Sequence, residues 1–190
     1  AEGLKAIFAQ VFIGVLMGLL LQIVNAALIV GGQAVSASMG LSMANMVDPS
    51  MGNVPVIAQF FVICSTLIFL GLGGHVLVIS LLLESFMLVP IGSVIELQQL
   101  LELTIEWSAM MFLGAILIGL PLMASLLFIN IGLGIITRAA PALNIFAVGF
   151  PAMILAGIVL LSLSMTSIGY RIQWLWQESF EIIGQALGIR

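Results

Sequence analysis

The apolar and polar positions of this chain separate into long blocks rather than alternating. Between Lys5 and Asp48 roughly forty residues pass without an ionisable side chain, and Pro49–Leu83, Trp107–Thr137 and Ala139–Tyr170 are free of charge apart from His75. Uncharged apolar runs of about 18 residues or more are the signature of helices in a membrane. A first helix is expected from Glu2 through Ala26 to a bend at Gly31–Gly32, with helix resuming from Gln33 to about Met46. Asp48–Pro55 concentrates turn formers and reads as a loop. Helices then follow over Val56–Leu70 and His75–Val89, separated by Gly71–Gly74 and ended by Pro90-Ile-Gly92.

The second half repeats the pattern. Glu96, Glu102 and Glu106 lead into an apolar helix expected to break at Gly119–Pro121. Another helix from Leu122 reaches Arg138 and stops at Pro141. A further break is expected at Gly149-Phe150-Pro151. Tyr170–Arg190 places Trp174, Trp176 and Phe180 beside Arg171, Glu178 and Glu181, the mixture of an aromatic belt at a membrane–water boundary. The expectation is an all-α chain of broken, hairpin-like apolar helices, with room for roughly six or seven spanning or half-spanning segments. Irregular backbone at membrane depth is tolerated only where protein or a water-filled cavity covers it. So many breaks therefore imply neighbouring subunits.

Composition sharpens this picture. The 190 residues are 63% hydrophobic and 6% charged, where soluble surfaces need about a quarter of the residues as charge. The net charge is −4, and only Lys5, Arg138, Arg171 and Arg190 are basic, so nucleic acid is not an expected partner. Those four do not set an orientation. Cys64 is alone and offers no internal disulfide. One His and one Cys without nearby carboxylates supply no metal site, and no cofactor motif is present.

Three features remain as candidate sites. On the first helix Gly14, Gly18, Gln22, Asn25, Gly32, Gln33, Ser36 and Gly40 share a band about 100° wide at helical spacing. That stripe either packs against a partner helix through Gly14-x-x-x-Gly18 or lines an aqueous conduit; both keep it away from lipid. His75, Glu84 and Arg138 are ionisable groups within apolar segments. Each is either structural or part of a proton relay, the latter making the chain a proton-conducting or transporter subunit. Met39, Met43, Met46 and Met51 surround the Asp48–Pro55 loop. Methionine fills irregular gaps, which suits both core packing and a deformable seal.

Three stretches in this order resemble the FliR/SctT family, the export-gate subunit of type III secretion. They are Met39-Gly-Leu-Ser-Met43-Ala44-Asn-Met-Val-Asp48-Pro49; Gly74-His75 with Glu84-Ser85-Phe86 and Leu88-Val-Pro90-Ile-Gly92; and Arg138-x-x-Pro141-x-x-Asn144-Ile145-Phe146-x-x-Gly149-Phe150-Pro151. The first looks more like the flagellar branch than the injectisome branch. Family members carry further apolar segments before the position of Gly3, so the chain is expected to be a piece of a longer one. The resemblance implies a non-enzymatic subunit assembled with FliP and FliQ, near FlhB and FlhA, in a cone-like assembly of the bacterial inner membrane and flagellar base. Unfolded flagellar proteins pass through its lumen, and much of it is held out of the lipid plane. It further implies one helical domain, with residues 1–92 FliP-like and 93–190 FliQ-like. Met39–Pro55 corresponds to the family's plug, carrying Met39, Gly40, Met43, Met46, Asp48, Pro49, Met51, Gly52 and Pro55.

Overall fold

A computed structural model describes residues 2–41, 56–88, 90, 97–139 and 145–188. Among them the chain is all-α: α1 (Glu2–Ser38), α2 (Val56–Gly71), α3 (Gly74–Leu88), α4 (Leu97–Ala139) and α5 (Ile145–Ala186). Three helices contain stretches apolar and long enough to cross a membrane: Ala6–Ser38, Leu100–Ala139 and Val148–Ala186, of 33, 40 and 39 residues. α2 and α3 qualify together as a pair bent by 66°. The described residues thus hold three or four long spans instead of six or seven short ones.

The difference has one cause, which is that three of the expected breaks are not breaks. α1 runs uninterrupted through Gly31–Gly32, and ends at Ser38, well before Met46. α4 contains Pro121 in its interior, and α5 contains Pro151. A proline removes one intrahelical bond, but in an apolar surrounding every non-helical alternative strands several peptide groups, so the helix continues. At Pro121 the next turn adds a local bond, Ser125 Oγ to the Pro121 carbonyl at 2.8 Å. The expected break at Gly71–Gly74 is present, as is the stop before Pro141.

Two tryptophans fix how the helices lie. Trp107 Nε1 donates to the Leu20 carbonyl at 3.0 Å, and Gly114, two turns further along α4, meets Ala27. α1 and α4 are therefore side by side and parallel. Gly114 also faces Leu175 of α5, which runs antiparallel to α4. Trp176 Nε1 donates to Ser65 Oγ at 2.9 Å, and Phe69 packs on both Trp176 and Phe180, so α2 lies parallel to α5. Gly32 against Ala58 closes the bundle between α1 and α2.

Association of apolar helices in lipid gains little from the hydrophobic effect, so close backbone approach and interhelical hydrogen bonds carry it. The Gly31–Gly32 pair serves that end instead of bending α1. A Cβ at Gly31 would stand 3.1 Å from the Ala115 carbonyl oxygen, and one at Gly32 would stand 2.8 Å from Ala58 N. Around these notches Leu20, Leu28, Phe61, Ile118, Ile172 and Ile183 are fully buried.

Length is the feature the membrane cannot absorb. α4, with 43 residues, extends about 65 Å. A hydrocarbon core about 30 Å thick, crossed at the extreme tilt of about 40°, takes up only about 26 residues. α4 and α5 therefore each extend more than a dozen residues beyond the hydrocarbon, with Glu102, Glu106 and Arg138 near the ends of α4 and Arg171, Glu178 and Glu181 in the last part of α5.

Replacing Gly32 by Val should overpack the α1–α2 contact and destabilise the fold by about 1–3 kcal/mol. The measurement is the melting midpoint of the purified complex. An unchanged midpoint would mean that α1 and α2 do not touch at Gly32.

Candidate functional site at the root of residues 39–55

α1 ends in a tight cap. Gly40 has φ of 80°, Gly40 N donates to the Ala37 carbonyl at 3.0 Å, and Leu41 N donates to the Ser36 carbonyl at 3.1 Å. This pair of reverse bonds, with glycine left-handed just past the helix, is a Schellman cap. A side chain at position 40 would be strained there. The glycine at 40, followed by a change in residue character, was the readable signal for a helix end before Met46.

α5 clasps this cap from the side. Met39 is 1% exposed, and its Cγ, Sδ and Cε lie so close to Gly157 that a Cβ on Gly157 would overlap them. The Phe150 ring sits 3.4 Å from where a Cβ of Gly40 would be. Phe150 and Gly157 are seven residues apart, on one face of α5. Met39 therefore stands as a buried knob at the root of the segment. Met43, Met46, Asp48, Pro49, Met51, Gly52 and Pro55 lie outside the described residues, as do Pro141 and Asn144. Phe146 falls in the first turn of α5, Gly149 is buried, and Pro151 is exposed inside the helix. Of the helix-break motif, Phe150 is the member brought to the root.

The stripe on α1 divides into two halves. Gly32 and Ser36 are buried against this chain's own helices. Gly14, Gly18, Gln22 and Gln33 are exposed, and nothing lies within 4 Å of a Cβ at Gly14 or Gly18. Asn25 is half-buried, and its Oδ1 has no hydrogen-bond partner among the described residues. The open half shares its face with exposed Ile7, Val11 and Val15, so the Gly14-x-x-x-Gly18 pair serves no contact among the described residues.

The three ionisable groups are not brought together. His75, Glu84 and Arg138 are all exposed. His75 follows the α2–α3 joint, near Phe69 and hence near Trp176, whose neighbour Leu175 faces Gly114. Arg138 occupies the last turn of α4, about 36 Å further along that helix. Among the described residues no three His, Cys, Asp or Glu side chains converge as a metal would need.

The C-terminal aromatic stretch also differs from a simple boundary belt. Tyr170 and Trp174 are exposed, but Trp176 is 5% exposed and belongs to the core. Trp107 and Ser65, which anchor the bundle, were passed over in the sequence. Ser65 beside Thr66, polar residues within an apolar 16-residue helix, was the available clue.

Residues 3–179 match the family model of bacterial export proteins, family 1. The chain belongs to this family. Similar proteins include the flagellar biosynthetic protein FliR of Pectobacterium carotovorum subsp. carotovorum, 34% identical over 97% of this chain and 71% of that protein. FliR of Escherichia coli (strain K12) is 35% identical over 94% of this chain and 69% of its own length. FliR of Bacillus subtilis (strain 168) is 28% identical over 85% of this chain and 64% of its own.

In this family 1 export protein the Met39–Gly157 contact makes a defined prediction. Met39→Ala should cost about 2–5 kcal/mol, as truncation of a buried side chain does. Gly157→Val should also destabilise, by displacing the Met39 side chain. The double variant should be milder than the sum, because valine fills the space that methionine vacates. Melting midpoints of the purified complex test this, and strict additivity would show that the two residues do not meet.

Proposed function

We propose that this family 1 export protein is a core subunit of the flagellar protein export gate in the bacterial inner membrane. The observation that carries this reading is the match to flagellar biosynthetic proteins over nearly the whole chain. The apolar lengths of α4 and α5 support it, since helices too long for a bilayer need protein around them. The resemblance noted in the sequence supplies the partners: FliP and FliQ in direct contact, FlhB and FlhA nearby, and unfolded flagellar proteins as cargo. On the same basis residues 1–92 form a FliP-like part and 93–190 a FliQ-like part.

Within this reading Met39–Pro55 is the plug. Its root is held by the Schellman cap at Gly40 and by Met39 buried at Gly157, which supports a segment fixed at one end. Met43, Met46 and Met51, with flexible side chains, close against neighbours without demanding one shape. A translocating chain displaces the segment and the same contacts re-form afterwards.

Deleting Met43–Met51 should let small solutes leak across the membrane while the complex still assembles. Unchanged permeability in a correctly assembled complex contradicts the plug. The open half of the α1 stripe is the subunit-facing surface. Gly14→Leu combined with Gly18→Leu should therefore abolish co-purification with other subunits. Retention at the level of the unaltered protein would remove that assignment.

A further inference from the structure

The joint between α2 and α3 has a construction that the gate reading does not use. Gly73, at φ of 72°, is the pivot. Leu72 N donates to the Ile68 carbonyl at 2.9 Å and Gly73 N to the Leu70 carbonyl at 3.1 Å, closing α2. The Gly73 carbonyl accepts from Val76 N at 2.9 Å and Leu77 N at 3.1 Å, opening α3. The backbone bonds thus tie each helix to the pivot, but none runs across it from α2 to α3. The direction of α3 is left to side chains.

One side chain occupies the inside of the bend. A Cβ at Gly74 would lie 2.5 Å from Cδ2 and Cε2 of Phe69, and 2.9 Å from the Phe69 carbonyl oxygen. The ring therefore rests directly on the Gly74 backbone. Behind it stand two rings of α5, with centroids 4.6 Å (Trp176) and 6.1 Å (Phe180) from that of Phe69. Trp176 is in turn held to α2 by its bond to Ser65, itself fully buried. α3 is otherwise lightly held: Gly74 and Ser85 are buried and Leu81 packs partly buried against the core, while Val76, Ile79, Leu83 and Phe86 are exposed.

We infer that Phe69, wedged between Gly74 and the Trp176–Phe180 rings, couples the position of α5 to the angle at which α3 leaves the bundle. A small slide of α5 moves the backing rings, the wedge follows, and the lightly held α3 swings about Gly73. The inference rests on these contacts and not on the plug.

The test is the distance distribution between spin labels on cysteines placed at Ile63 and Ile79, both exposed, in a Cys64→Ser background within the assembled complex. Gly74→Ala should shift the mean distance beyond the width of the parent distribution. Phe69→Ala should broaden the distribution, and in that background Gly74→Ala should add no further shift. Trp176→Ala should broaden it too, because the wedge loses its backing. The coupling is overturned if Gly74→Ala assembles with an unchanged distribution. It is equally overturned if the Gly74→Ala shift persists in full without the Phe69 ring, which would place the angle in the backbone alone. Phe69→Leu gives the same comparison should the alanine variant fail to assemble.

Discussion

An apolar helix about twice as long as the hydrocarbon of a bilayer is thick poses a problem that one polypeptide cannot solve. α4 and α5 are such helices, and α1 approaches them in length. Tilting recovers part of the excess, but at accepted angles a dozen or more residues of each remain without hydrocarbon. Large contiguous apolar patches outside hydrocarbon mark interaction sites. Under the proposed function the remaining cover is other protein. This constraint accords with the charge-free sequence and with the division of α1 into an inner and an outer face.

The inner face shows how such helices hold together without much hydrophobic gain. Gly31 and Gly32 let α1 approach α4 and α2 to backbone contact, and Trp107 and Trp176 each spend a ring N–H on a bond between helices. Contacts of this kind are modest singly, at about 0.6 kcal/mol for an average interhelical bond in a membrane. Together they fix register, because a tryptophan bond to one particular carbonyl or hydroxyl fails if a helix slides. The outer face carries the same small-residue chemistry at Gly14 and Gly18, with nothing among the described residues filling it.

The helical class and the joint at Gly71–Gly74 were legible in the order of residues, because long uncharged runs admit few other folds and a glycine cluster ends a helix wherever it lies. The supposed breaks at Gly31–Gly32, Gly119–Pro121 and Gly149–Pro151 were misread for a physical reason. Breaker propensities describe helices in water, where a lost bond is replaced by solvent; in an apolar surrounding the helix persists and glycine becomes a contact notch. The partners of that notch are distant in sequence. Ala58 for Gly32, Gly157 for Met39 and Trp176 for Phe69 have no local pattern that would announce them. Met39 shows the same limit: its residue type fits both a seal and a core, and only the neighbouring helix makes it a buried knob. The rest of Met39–Pro55 stays where the sequence and the family resemblance left it, as a proposed plug.

The central claim is that the uncovered apolar lengths of this chain are enclosed by other subunits. Native mass spectrometry of the detergent-solubilised particle tests it most directly. The account predicts that the chain is released from the membrane only within a hetero-oligomer of defined composition, and loses its helical packing when stripped of companions. A stable, well-folded species with the mass of a single copy of the protein, flying alone, would contradict it.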